Sequence, residues 1–309
     1  MVYCPALYIN KHILAPMVRV GTLPMRLLSL DYGADLVYSP EIVDKAIIGS
    51  ERTVDEVTGT IRYIKDGRTV IQIDPREKHQ LIFQLGTADP ELALKAALCV
   101  KEDVAAIDVN CGCPKKFSIA GGMGAALLTV PDKLCSILTN LVEHVGLPVS
   151  CKIRLLESRE DTLALCRRVA ATGISALAVH CRTRDERPRH PAHWDELEPI
   201  CQAIKNIPII ANGDFAHRDD IEKMRAKGNK HAACVSSIMY ARSAMHNPSL
   251  FRQEGPLARR VVAIAYIQLA RKVNNIFQNT KYTLMQMYED TKSPEYQRLT
   301  SAKTMDAIW

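Results

Sequence analysis

Eight short runs rich in Val, Ile, Leu and Ala, each followed by a loop bearing Gly, Asn or Asp and then by a helical pattern, constrain this chain more than any other feature. The runs are HILAPMV (12–18), ADLVYSP (34–40), LIFQLG (81–86), AAIDVNCG (105–112), VSCKIR (149–154), ALAVHCR (176–182), PIIANGD (208–214) and ACVSSIMYAR (233–242). Continuous rather than alternating apolar character means burial on both faces, and helices between the runs mean parallel crossovers. Eight such units close into a (β/α)8 barrel, the TIM-barrel architecture, with an open doubly wound sheet as the alternative. At 309 residues and 47% apolar composition, the chain can bury a barrel-sized core and still hold a small appendix.

The helical stretches follow the same logic. DPELALKAALCVKE (89–102) carries Leu92, Ala96 and Cys99 at helical spacing, and EDTLALCRRVAATG (160–173) ends in a glycine stop. Between the second and third runs, TIRYIKDGRTVIQID (60–74) holds Asp66-Gly67 between two β-rich segments and predicts a hairpin. After Pro248 the pattern becomes helical alone, with Val262, Tyr266, Leu269 and Val273 at helical spacing and Arg259, Arg260, Arg271 and Lys272 nearby. This divides the chain into a catalytic barrel over residues 1–250 and a small helical domain over 251–309. The second part holds nine Lys or Arg and five Asp or Glu, a surplus of four out of the chain's net +6. Such a charge is compatible with a nucleic-acid partner without demanding one.

Ten cysteines are scattered without the paired spacing of a disulfide scaffold or a zinc ribbon, so they read as reduced thiols of a cytoplasmic protein. The amino-terminal MVYCPALYINKHILAPMV lacks a basic segment followed by an unbroken apolar one, and no window is apolar over a membrane-spanning length.

In barrels of this type catalytic groups stand at the carboxyl ends of the strands. Read there, the runs yield Met17 and Arg19, Glu41, Gln84, Asn110 with Cys113, Lys152 with Arg154, His180 with Arg182, Asn212 with Gly213, and Ala241 with Arg242. Several convergent polar ends are harder to explain as packed or solvated residues than one would be. ANGD (211–214) and YARSAM (240–245) follow the last two runs with small residues that expose backbone N–H groups, and Arg242 adds a fork suited to phosphate oxygens. A phosphorylated ligand is implied. Lys152 and Gln84 can offer positive charge and hydrogen bonds to a planar heterocycle that gains negative charge on reduction, which suits a flavin. No GxGxxG follows a strand, so a dedicated Rossmann nicotinamide site is not indicated. The Gly-rich AGGMGAAL (120–127) lacks a P-loop ending and reads as a lid or a turn.

Cys113 in NCGCPK (110–115) stands just past the fourth run, before a proline that fixes the loop. A buried structural thiol, one leg of a metal site with Cys111, and a reactive acid or nucleophile all remain open, although no second Cys/His pair follows at ligand spacing.

Taken in order, LAPMVRVGTLPMR, FQLG, IDVNCGCPKK, GGMGAAL, CKIR, VHCRTRDER, ANGD and MYARSAMHNPSLF resemble the tRNA-dihydrouridine synthase family over nearly the whole chain. Within it, APMVRVGTLPMRLLSLDYGAD and NTKYTLMQM are most similar to the eukaryotic branch acting on the D-loop uridine at position 20. The resemblance implies an FMN-dependent oxidoreductase that reduces a tRNA uridine to 5,6-dihydrouridine with NADPH or NADH as electron source. It implies FMN contacts from Pro16, Met17, Gln84, Lys152, His180, Asn212, Gly213, Asp214, Ala241 and Arg242, and Cys113 as the catalytic acid. Asn110, Arg182 and Arg184 would lie near the entering uridine, and no metal is implied. Ala241 and Cys181 stand where the family usually has glycine; alanine still offers its backbone N–H. Relatives of this branch also tend to carry a double-stranded RNA-binding domain after the helical one. Two other readings use the same residues: an FMN barrel reductase acting on a free pyrimidine, and an idle RNA-binding barrel.

Overall fold

The computed structural model describes residues 2–220, 222 and 234–308. Met1, Trp309 and Ala233, the first residue of the eighth apolar run, lie outside the described residues. All eight runs contribute a strand: β1 (His12–Leu14), β2 (Leu36–Tyr38), β7 (Leu81–Gly86), β8 (Ala106–Cys111), β9 (Val149–Leu155), β10 (Ala176–Thr183), β11 (Ile209–Asn212) and β12 (Ser237–Tyr240). Each is parallel to its neighbours in the order β1-β2-β7-β8-β9-β10-β11-β12, and β12 pairs back onto β1, His12 facing Ile238. The result is a closed (β/α)8 barrel. Burial explains the unbroken apolar runs, since β7 and β8 are buried at every position.

Two cores flank the barrel wall. The interior is filled by alanines, larger aliphatic side chains and tyrosines, among them Ala106, Ala176, Ala178, Ile210, Met239 and Tyr38. It is reached from one end by Tyr8 of the short 3-10 turn Pro5–Tyr8. The outer core lies between the strands and the surrounding helices, including α1 (Leu23–Asp31), α3 (Pro90–Val100), α5 (Pro131–His144) and α6 (Arg159–Ala170). Asp89 caps α3 by accepting from the Leu92 N–H. The buried stripe of α3 is Ala93, Ala96, Ala97 and Val100, turned by about one position from the Leu92, Ala96 and Cys99 line, because small residues let the helix sit close to the sheet.

The hairpin is present as β5 (Ile61–Lys65) and β6 (Arg68–Ile73), with Asp66 and Gly67 at φ of 50° and 69° in the turn. A third strand, β4 (Glu51–Val54), completes a small antiparallel sheet. Its polar, largely exposed sequence gave no apolar signal. A two-residue strand, β3 (Ile42–Val43), extends the barrel edge at β7. Arg26 of α1 is almost fully buried and ties this region together. Its Nε and Nη2 donate to the two carboxylate oxygens of Glu77 at 2.8 Å each, Nη1 to the Gly21 carbonyl at 2.8 Å and Nη2 to the Gln72 carbonyl at 2.7 Å.

The chain ends in helices α9 (Arg259–Lys272), α10 (Phe277–Met287) and α11 (Pro294–Ser301), preceded by the short α8 (Arg242–His246). Leu23 and Leu27 of α1 pack on Leu269 and Val273. Asn279 accepts from the Thr22 hydroxyl at 2.9 Å, and Gln72 donates to the Val273 carbonyl. Arg19, at φ 70°, stacks its guanidinium 4.1 Å from the Tyr282 ring centre.

One expectation is corrected. The cysteines are not all free thiols: Cys201, in α7 (Leu197–Ala203), is joined to Cys234 by a disulfide across 33 residues, with Cα atoms 5.9 Å apart. The two cysteines lie on either side of β11 in the sequence, and their meeting is a tertiary contact that spacing along the sequence does not reveal. The other eight are free, and Cys113 is half-buried.

Candidate active site

Strand register decides which polar side chains meet at the barrel mouth. Gln84 of β7 is level with Asp108 of β8, and Asp108 with Ser150 of β9. One step nearer the mouth, Asn110 faces Lys152. Beyond that, Arg154 faces His180 of β10, His180 faces Asn212 of β11 and Asn212 faces Met239 of β12.

The innermost group is a closed polar network. Gln84 Nε2 donates to Asp108 at 2.9 Å, Ser150 Oγ donates to the other carboxylate oxygen at 2.7 Å, and Asn110 Nδ2 donates to Gln84 Oε1 at 3.2 Å. An ionised carboxylate only accepts, so Asp108 fixes which end of the Gln84 amide faces Asn110. Burial pushes the Asp108 carboxyl up to about 6, against hydrogen bonds from Gln84 and Ser150 and the charge of Lys152. Both of its oxygens accept a hydrogen bond, one from Gln84 and one from Ser150.

Asn110 also builds the cysteine loop. Its Oδ1 accepts from the N–H groups of Gly112 and Cys113 at 2.9 and 3.0 Å, folding the chain over the end of β8. Cys113 is half-buried here, and the Glu41 carboxyl, whose Oε1 lies 3.5 Å from the Ser118 hydroxyl, acts on it through its charge. Burial, and then the Glu41 charge, push the thiol up, so it keeps its proton at neutral pH. The Gly-rich stretch turns behind this loop, with Gly122 and Gly124 at φ of 70° and 58°.

The other half of the mouth is cationic. A cavity of about 500 Å3 is lined by Arg154, His180, Arg182, Asn212, Gly213 and Arg242 among others. Arg182, buried and predicted beside the substrate, points into this end: Nη2 donates to both Asp214 oxygens at 2.6 and 2.5 Å, and Nη1 contacts His180 Nε2 at 3.3 Å. A guanidinium can only donate, so His180 Nε2 accepts and its proton sits on Nδ1. Burial, followed by the charges of Lys152, Arg154, Arg182 and Arg242, holds His180 far below the ordinary imidazole range. Burial, followed by the Arg154 charge, also lowers Lys152, to about 8.

Arg242 donates to Asp214 at 2.7 Å. The Asp214 side chain, which also lines the cavity, thus holds two guanidinium groups and the Ala192 N–H, at 2.8 Å. Gly213, at φ 124°, holds a backbone conformation that L residues rarely adopt, and a Cβ there would stand a tight 3.0 Å from Ala192 Cβ. Pro16 and Met17 lie just past β1, partly buried, while Arg184 is exposed and paired with Asp185 outside the cavity.

This donor set fits a phosphorylated planar cofactor such as FMN. Three guanidinium groups surround one end, more than Asp214 alone neutralises. Among the described residues no carboxylate lies within salt-bridge distance of Lys152, which stands between them and the Gln84–Asn110 pair. Lys152 and the Gln84–Asn110 pair would meet the ring, and Arg242 with the Gly213 and Ala241 backbone would meet the phosphate. The larger cavity, about 1100 Å3, lies instead between the small sheet and the C-terminal helices, lined by Arg62, Arg68, Arg271, Asn274 and Phe277. Among the described residues no group of three His, Cys, Asp or Glu side chains is placed to hold a metal ion, and no helix is long and apolar enough to cross a membrane.

Sequence reasoning assigned no role to Asp108 or Ser150. The signal was there in Asp108, a charge inside the apolar run AAIDVNCG. Glu41 was noted only as a strand end.

Comparison with known proteins follows the same lines. A family model described as dihydrouridine synthase (Dus) matches residues 13–302. A Schizosaccharomyces pombe protein named tRNA-dihydrouridine(20) synthase (NAD(P)+) is 45% identical over 315 aligned residues, covering 97% of this chain and 64% of that one. Its Saccharomyces cerevisiae namesake is 41% identical over 319 residues, covering 93% and 82%. A Homo sapiens protein named tRNA-dihydrouridine(20a/20b) synthase (NAD(P)+)-like is 31% identical over 294 residues, covering 93% and 85%. The chain therefore spans less than two thirds of the length of the first of these relatives.

Proposed function

The chain belongs to the dihydrouridine synthase family, and on that premise we propose that it reduces a D-loop uridine of tRNA, at position 20, to 5,6-dihydrouridine. The observation that carries the reading is a half-buried thiol, Cys113, on the loop after β8 at the same end of the barrel as a cationic cavity suited to a flavin phosphate. FMN, once bound and reduced by NAD(P)H, supplies a hydride. A uracil in a folded tRNA is out of reach of groups set in a barrel, so the base must be extruded to meet them. Cys113 then gives the Sγ proton to uracil C5. Burial keeps that proton on sulfur near neutral pH, where an exposed thiol would begin to lose it. Asn110, fixed through Gln84 and Asp108, holds the loop that aims the thiol.

We assign residues 251–309 to tRNA docking together with the small sheet. The large cavity between them carries arginines, amide side chains and Phe277, chemistry that suits a phosphate backbone and unstacked bases. Exposed Ile276 stands on its rim. Position 20 rests on the two yeast relatives' names, and a cytoplasmic site of action on the location of tRNA substrates.

The test is to incubate the purified, FMN-loaded, reduced protein with unmodified tRNA and map dihydrouridine by position. Product at position 20 alone is expected, and Cys113→Ala should bind FMN, accept electrons from NADPH and form no product at a useful rate. Normal product formation by that variant refutes the acid role; a free pyrimidine reduced faster than tRNA favours a small-molecule reductase.

A further inference from the structure

The loop from β1 to α1 joins the barrel mouth to the large cavity. Met17 stands at its start, just past β1, and Thr22 at its end, on the cavity wall together with Asn279 of α10. The loop closes on itself where the Gly21 N–H donates to the Met17 carbonyl at 2.8 Å. Asn279 clamps it from outside: Nδ2 donates to the Arg19 carbonyl, and Oδ1 accepts from the Thr22 hydroxyl at 2.9 Å and from Asn275 at 3.0 Å. Arg19 is thereby held at φ 70°, a conformation that a residue with a Cβ keeps only where its surroundings impose it. Its side chain is exposed, and the guanidinium lies 4.1 Å from the centre of the Tyr282 ring. Stacking occupies the face of a guanidinium and leaves the N–H groups on its edge. Among the described residues no carboxylate pairs with Arg19 and no acceptor takes those N–H groups, whereas Arg182 and Arg242 are both engaged by Asp214.

We infer that Arg19 is a phosphate contact for the tRNA strand, placed where that strand passes from the large cavity to the barrel mouth. The inference rests on the proposed tRNA substrate. A strand docked in the cavity and delivering one base to the mouth crosses the Met17–Thr22 loop, since the two ends of that loop belong to the two places. The edge of a guanidinium matches two oxygens of a phosphodiester. An unrestrained surface arginine loses rotamer freedom on taking up a phosphate. Arg19 has already given up much of that freedom to Asn279 and Tyr282, so the contact forms at lower cost.

The test is the affinity of the flavin-loaded, full-length protein for unmodified tRNA, followed by fluorescence anisotropy across a series of KCl concentrations. Arg19→Ala leaves the backbone conformation equally strained and removes only the cation. It should weaken binding about tenfold, the low end for a charge-assisted contact, and flatten the slope of log affinity against log salt by roughly 0.7–0.9, the share of one phosphate. Its FMN dissociation constant should match that of the unaltered protein. Arg19→Lys should restore the slope and only part of the affinity, and carries the test if the alanine variant does not fold. Tyr282→Leu should keep the slope and lose roughly two- to fivefold in affinity, the worth of an exposed cation–π contact, and Tyr282→Phe should recover it. An unchanged slope in Arg19→Ala, or a loss of FMN affinity in proportion to that of tRNA, overturns the assignment and leaves the proposed reaction standing. Unaltered protein that neither binds tRNA nor forms dihydrouridine removes the reaction, and the contact with it.

Discussion

Gly124→Ala tests whether the loop behind Cys113 is held by contact or merely by its backbone conformation. Gly124 sits at φ 58°, and a Cβ there would lie 2.4 Å from Ser118 Oγ, 2.7 Å from the Cys113 carbonyl oxygen and 3.0 Å from Cys113 Cβ. The serine hydroxyl can rotate away. The carbonyl cannot, because it is backbone and accepts from the Ala125 N–H at 3.0 Å. The left-handed conformation alone costs an L residue roughly 1–2 kcal/mol, and forcing an extra methyl into a packed site adds about 1–3 kcal/mol. Gly146 separates the two effects: at φ 75° it has nothing within 4 Å of its Cβ position. Gly146→Ala should therefore lose only the first amount in urea denaturation, and Gly124→Ala about 1–3 kcal/mol more. Since the Cys113 backbone must give way by some tenths of an ångström, dihydrouridine formation should fall on the order of tenfold, short of the hundredfold that a full ångström costs. Cys113 alkylation should change in rate in the Gly124 variant only. Equal stabilities for the two variants, or unaltered turnover in Gly124→Ala, would refute the claim that this contact aims the thiol.

Arg242→Ala should weaken FMN retention by about 1.5–3 kcal/mol, roughly 10- to 150-fold, since one charge-assisted phosphate contact is lost; an unchanged dissociation constant in fluorescence titration excludes Arg242 from the phosphate site. Glu77→Gln leaves the buried Arg26 guanidinium without its ionic partner and should cost about 3–5 kcal/mol in urea denaturation, whereas Arg26→Met with Glu77→Leu together should cost far less. Equal losses would mean the pair itself supplies the stability. His180 remains neutral when folded, while an unfolded imidazole takes up a proton below about pH 6.5. The unfolded chain then holds more protons, so stability falls as pH drops through that value, by up to about 1.4 kcal/mol per pH unit for this one group. His180→Asn should flatten the decline measured between pH 6.5 and 5, and an identical slope in both proteins would show that His180 does not carry it.

The barrel was legible from the chain itself. A run such as LIFQLG, apolar at both parities, has no stable place except a strand covered on both faces, and eight of them separated by helices leave few ways to close. The Asp66-Gly67 turn was equally plain, since its geometry needs two residues tolerant of positive φ. β4 was not, because its exposed residues carry no burial pattern and its pairing with β5 is set by a neighbour in space. The pairing of Cys201 with Cys234 was hidden for the same reason.

The site divides along the same line. Residue types at strand ends follow from local order, so Cys113, Lys152, His180 and Arg242 could be named as candidates before any coordinates. Their partners could not. That Asp214 holds two arginines, that Arg182 sets the His180 tautomer and that Asp108 orients Gln84 all depend on register between strands and on loops returning from different parts of the chain. Sequence by itself determined which elements form, because that is decided by periodicity and local sterics. Only the tertiary structure decided which charges share a buried space, because hydrogen bonds and desolvation act over a few ångströms between residues that lie tens to hundreds of positions apart.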